Sequence, residues 1–125
     1  MRKESQTRKG MLVSKLQKLE CSVVAAISSQ KNDASAREAC LTKVVEELIS
    51  QGVIRIEIER DESFEKRDKA LIKNVLDAQK PSFDVSYRHL SSSEEPLLWA
   101  PDIAAWAIQT GTSINRLAIT QLFAD

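Results

Sequence analysis

Two runs of alternating hydrophobicity bracket a helical run, and few folds are open to a chain with that succession. In residues 53–59, Ile54, Ile56 and Ile58 alternate with Arg55, Glu57 and Glu59, the period of two of a strand with one apolar and one polar face. Phe64, Leu71, Ile72, Val75 and Leu76 then mark a helix across residues 64–79, which Pro81 ends. Phe83, Val85 and Tyr87 restore the alternation as a further strand. Strand, helix, strand in that order predicts a right-handed crossover between parallel strands.

The flanking sequence extends the pattern. Leu12, Val13, Leu16 and Leu19 give an amphipathic helix over 9–20, behind a loose polar start at 1–8. Residues 21–28 form a short apolar run without polar alternation, as in a strand covered on both faces. Ser35-Ala36-Arg37-Glu38 fits a capping box. The helix it opens carries Leu41, Val44, Val45, Leu48 and Ile49 on one face and stops at Gly52. After the Ser91-Ser92-Ser93 loop, residues 96–110 form an apolar helix broken or restarted at Pro101, and 115–123 adds a helical turn or two. The expectation is one α/β domain over residues 1–125, with a parallel sheet of about three strands and about four flanking helices.

A chain of 125 residues is long enough to bury one core. Its 18 basic and 18 acidic side chains cancel, so nucleic acid would have to be drawn by a local basic patch. The two cysteines, Cys21 and Cys40, form no C-x-x-C pair, and His89 is the single histidine, which comes close to excluding a structural zinc site. Both thiols read as small core residues in a reducing cytoplasm. The longest apolar run, 96–108, is too short to span a bilayer and contains Asp102, and residues 1–16 lack the apolar core of a secretory signal. A cytoplasmic protein without a membrane partner is expected. With three glycines in all, there is no G-x-G-x-x-G or Walker-type loop.

Three carboxylates fall where strands hand over to helices: Glu59, Asp68 and Asp102. With parallel strands they would meet at one rim of the sheet, where α/β folds place their ligands. Acids with almost no His or Cys nearby favour Mg²⁺ or Mn²⁺ over zinc. Asp68 lies on the apolar stripe of its helix, where a carboxylate has to be paired, hydrogen-bonded or metal-bound. It is either a ligand or a first-turn acid favoured by the helix dipole and paired with a nearby Arg or Lys. Asp102, among Trp99, Ala100, Ile103, Ala104 and Trp106, divides the same way between a dry functional site and an ordinary helix start behind Pro101.

Glu94 and Glu95 precede the last helix and belong to a solvated loop or supply a ligand. His89 ends a strand near the same rim and reads as a hydrogen-bonded structural residue before a general base. Arg60, Lys66, Arg67 and Arg88 lie close enough in sequence to meet phosphate there, though each also suits a solvated face. Trp99 and Trp106, seven apart on one helical face, read as core before base-stacking platforms.

The chain resembles a family of uncharacterised proteins with a ribonuclease H-like fold. The resemblance rests on Arg2-Lys3-Glu4-Ser5 before a basic helix, on Glu59 with Glu65-Lys66-Arg67-Asp68, and most specifically on residues 94–107, EEPLLWAPDIAAWA. It implies metal-dependent phosphoryl chemistry, with Glu4, Glu59 and Asp102 as metal ligands and Asp68 and Glu95 in support. The family pattern begins upstream with a hairpin whose first strand supplies an Asp, whereas Met1 stands at the Lys-Glu-Ser segment. The resemblance therefore implies a fold lacking its N-terminal strands, an open edge beside residues 21–28, and weakened or lost catalysis.

Two functions follow as expectations. One is a nuclease or phosphodiesterase, or its inactive remnant. In it Glu59 and Asp102 hold Mg²⁺ or Mn²⁺ with Glu4 and Glu95, Asp68 orients a ligand or water, and Arg60, Arg67 and Arg88 meet phosphate. The other is a non-catalytic assembly module, a homo-oligomer or a subunit whose sheet a partner strand completes.

Overall fold

The computed structural model describes residues 6–18, 21–91, 93–94, 96–110 and 118–124. The chain is α/β: the described residues form four α-helices and short strands in two two-stranded sheets. In order these are α1 (Gln6–Lys18), β1 (Ser22–Ile27), α2 (Asp33–Ser50), β2 (Arg55–Glu59), α3 (Glu65–Gln79), β3 (Ser86–Leu90), a 3₁₀ turn (Pro96–Leu98), α4 (Trp99–Thr110) and β4 (Ala118–Phe123). The described residues of 1–23 and 92–120 form one compact unit, and those of 24–91 and 121–125 form a second.

The second unit contains the expected strand, helix, strand succession with parallel strands. β2 and β3 run parallel, with Ile56 opposite Tyr87, Ile58 opposite His89 and Glu59 opposite Leu90. Val45 and Ile49 of α2, Ile56 of β2, and Ile72 and Val75 of α3 form its core. Phe83, Val85 and Tyr87 all pack against that core, so their alternation does mark a common face. The hydrogen-bonded ladder starts later than the alternation. Ser86 N–H donates to Ile54 O at 2.9 Å, and pairing runs to Leu90 rather than stopping at Tyr87.

α2 begins ahead of the expected capping box. Asn32 is the N-cap, and its side-chain oxygen accepts from Ser35 N–H at 3.0 Å. Asparagine caps as well as serine does, and Asp33 then adds the acid that a first turn favours. At the other end Gly52 has φ +81, Gly52 N–H bonds Ile49 O, and Val53 N–H bonds Leu48 O. These are the two bonds of a Schellman stop, and the left-handed position is one glycine takes without strain. α3 ends where Pro81 denies the preceding residue the helical region, and Lys80 turns out at φ 46.

In the first unit α1 packs on α4. Val13 and Leu16 meet Ile103, Ala104 and Ala107, with Trp99 and Trp106 against the same cluster, so both tryptophans serve as core. The Lys9 ammonium lies 5.6 Å from the Trp106 ring centre.

Several sequence expectations change here. α4 starts at Trp99, so Pro101 is its third residue and not its first. A proline there is tolerated because the first N–H groups of a helix have no intrahelical partner. The described part of 115–123 is a strand, β4, which pairs with β1. β1 therefore joins a separate two-stranded sheet, and among the described residues the single three-stranded sheet is not found. Cys21 is exposed, not core, and Cys40 is partly buried with its thiol toward Ala26 O at 3.5 Å. Among the described residues no helix is long and apolar enough to cross a membrane.

Candidate functional site at the α2–α3 cleft

Asp68 is 3% exposed, the carboxylate that its place on the apolar stripe of α3 foretold. Its partner is Arg37, on the first turns of α2. Arg37 Nε donates to Asp68 Oδ1 at 3.2 Å and Nη2 donates to Oδ2 at 2.8 Å, a two-pronged charged pair. That bond holds the guanidinium pKa above its ordinary value, against the opposing pull of burial. The Arg37 guanidinium also lies 5.0 Å from the centre of the Phe64 ring.

His89 lies behind the pair. Its side chain is fully buried, and Nε2 is 3.5 Å from Asp68 Oδ2. Among the described residues neither ring nitrogen has a hydrogen-bond partner, so the expected hydrogen-bonded structural histidine is not what the structure contains. Arg60 closes the strand ends: its N–H donates to Leu90 O at 2.8 Å, and its guanidinium donates to His89 O at 3.1 Å and pairs with Glu65 at 3.7 Å. Lys69, one turn on, holds the Glu65 carboxyl below the usual carboxylate range against partial desolvation, with lesser help from Arg60 and His89.

In front of the pair, a cleft of about 300 Å³ opens between the N-terminal halves of α2 and α3. Arg37 and Glu38 line it from α2, and Phe64, Arg67, Asp68 and Asn74 line it from the α3 side. Asp68 is its buried floor. Arg67 is exposed, and among the described residues it makes no ion pair or hydrogen bond.

The other expected site residues lie elsewhere. Glu59 ends β2, exposed, and the pleat puts it on the face of Glu57 and Arg88, opposite to the helix-covered face of Ile58 and His89. A carboxylate on one face of a sheet does not share ligands with Asp68 on the other. Arg88 sits mid-strand and is bound to Glu57 at 3.0 Å, beside Arg55. The Arg88 bond holds the Glu57 carboxyl below its usual range; desolvation opposes this and Arg55 adds to it. Asp102 is a partly buried acid in the first turn of α4 and belongs to the other compact unit. Glu4 and Glu95 lie outside the described residues. Of the three arginines expected at phosphate, only Arg67 lines the cleft.

The described donors do not by themselves make up the expected metal site. Both oxygens of Asp68 are engaged by Arg37, and among the described residues no group of three His, Cys, Asp or Glu side chains comes together to hold an ion. Mg²⁺ and Mn²⁺ bind through several oxygens at once, which a lone exposed Glu59 does not supply. No protein-family model, curated protein or solved structure matches the chain.

Sequence reasoning missed Arg37 as the partner, yet a signal was present. Arg37 precedes Leu41, Val44, Val45 and Leu48 at helical spacing, so it begins the apolar stripe of α2 just as Asp68 begins that of α3. Opposite charges at the same end of two facing apolar stripes are candidates to pair.

Proposed function

We propose that the chain binds a phosphate-bearing ligand in the α2–α3 cleft. The observation carrying this reading is that Arg37 is held in the cleft wall by a buried carboxylate on one side and an aromatic ring on the other. Its geometry is set before any ligand arrives, so little side-chain freedom is lost when its remaining N–H groups take an anion. Arg67 adds a cation that pairs with no other described residue, and the start of α3, which has no side-chain cap among the described residues, favours negative charge. Glu38 on the same wall opposes ligands of high charge density, which suits one or two phosphates better than a long polyanion.

Hydrolysis of a phosphodiester with Mg²⁺ or Mn²⁺ is the stronger form of this proposal. It requires acids outside the described residues, Glu4 and Glu95, to bring together a donor set that the described ones do not supply. Titration calorimetry with inorganic phosphate tests the binding form. Arg67→Ala should weaken it about tenfold or more, the worth of a charged hydrogen bond, while leaving the melting temperature unchanged. A parent chain that binds no phosphate overturns the proposal. Cleavage of a short oligonucleotide only when Mn²⁺ is added would extend it to catalysis.

A second reading, assembly through a strand edge, has its own observation. β1 and β4 form a sheet of two strands, and Ala124 N–H donates to Ile27 O at 2.9 Å where that sheet ends. Ile27 and Phe123 are 42% and 77% exposed there, an apolar pair at the end of a sheet of only two described strands. On this reading the parent is a dimer or larger by light scattering, and Phe123→Lys makes it monomeric. A parent monomeric at high concentration sinks it.

A further inference from the structure

We propose that His89 and the Arg37–Asp68 pair form a proton-operated latch that raises the anion affinity of the α2–α3 cleft as pH falls. The inference rests on the cleft reading and adds its regulation. Asp68 Oδ2 accepts from Arg37 Nη2 at 2.8 Å and faces His89 Nε2 at 3.5 Å. One oxygen thus stands between a standing cation, Arg37, to which it is bonded, and His89, which becomes a cation on taking a proton and lies just short of bonding.

The buried ring gives the arrangement its directionality. With neither nitrogen partnered, a neutral His89 leaves Asp68 to Arg37. A proton taken from solvent makes it an imidazolium, which burial disfavours unless an anion meets it. Asp68 Oδ2 is that anion, and a closing of about 0.7 Å gives a charge-assisted bond of ordinary length. Arg37 then shares its acceptor, is less neutralised, and turns more of its positive charge to the cleft. Among the described residues, the charged groups set around the ring are Asp68 and Glu65 from α3, Arg37 from α2 through Asp68, and Arg60 after β2, whose guanidinium holds the His89 carbonyl. Its neighbour across the ladder, Ile58, is apolar.

His89 is the only histidine of the chain, so its ring-proton NMR signals need no assignment by mutation. Sulfate is the probe, because it keeps one charge state between pH 5.5 and 7.5 while offering the oxygens of phosphate. Sulfate should bind about fivefold or more tightly at pH 5.5 than at pH 7.5, the lower end of ordinary site-to-site coupling. By reciprocity the pH at which the His89 signal moves should rise when sulfate is added. In His89→Gln the sulfate affinity should be flat over this range.

Three outcomes divide the claims. Tighter binding at low pH, a sulfate-shifted His89 titration and a flat variant support the latch. Sulfate binding at one affinity throughout, with a His89 signal indifferent to it, overturns the latch and leaves the cleft reading standing. No sulfate binding at any pH overturns both. The titration on the parent chain needs no variant, so a His89→Gln protein that fails to fold does not remove the test.

Discussion

Replacing Arg37 by Met should lower the stability of the fold by about 3–5 kcal/mol, the usual cost of leaving a buried charge without its partner. The Asp68 side chain is 4% exposed, and among the described residues the one polar side chain left near it without Arg37 is the His89 ring, 3.5 Å from Oδ2. Methionine keeps an unbranched stem beside Phe64, so the loss isolates the charge and not the packing. The reverse change should cost less. Arg37 is 34% exposed and finds water when Asp68 becomes Asn, so about 1–3 kcal/mol is expected there. Denaturant unfolding of Arg37→Met, Asp68→Asn and Arg37→Met with Asp68→Leu checks the ordering. The double variant should recover most of the loss, because an apolar pair in place of a buried ion pair is often neutral or better. A single Arg37 variant no worse than Asp68→Asn would show that Asp68 is not the buried, dependent member of the pair.

Ile72→Ala should cost about 2–5 kcal/mol, the other large effect. Ile72 is 0% exposed on α3, within the cluster of Val45 and Ile49 from α2, Ile56 from β2 and Val75. The truncation removes three carbons from a place where helix and strand side chains close in from several directions, and neighbours held by different elements fill such a gap only partly. Alanine's better helix propensity returns only about 0.4 kcal/mol. Ile54, 61% exposed just before β2, is the matched control and should change stability by no more than about 0.5 kcal/mol on the same substitution. The denaturant midpoint should fall for Ile72→Ala with the slope unchanged, and a loss under about 1 kcal/mol would mean the α2–α3–β2 contact is loosely packed.

The same residues show why part of the site was legible in advance. Asp68 stood out because helical spacing alone puts it on an apolar face, and a carboxylate there needs a partner whatever the fold. Which partner it finds depends on contact between residues 31 apart in the chain, and no local pattern carries that. Glu59 shows the opposite limit. Its place at the end of β2 was correct, but ending a strand says nothing of convergence. The pleat that makes Ile58 inward makes Glu59 outward, away from the helix that carries Asp68.

β3 and β4 mark the other boundary. Alternation located the inward face of the segment holding Phe83, Val85 and Tyr87, while the ladder itself begins at Ser86, where Ile54 offers its carbonyl. β4 carries no clean alternation, and the pairing with β1 that makes it a strand involves residues far away in sequence. Local periodicity, caps and stops determined α2, α3, the parallel pairing around them and the buried acid, because those depend on residues within a turn or two of one another. Tertiary structure decided the Arg37–Asp68–His89 cluster, the second sheet and the separation of Glu59 from Asp68, because each depends on which distant segments meet and on which face they meet.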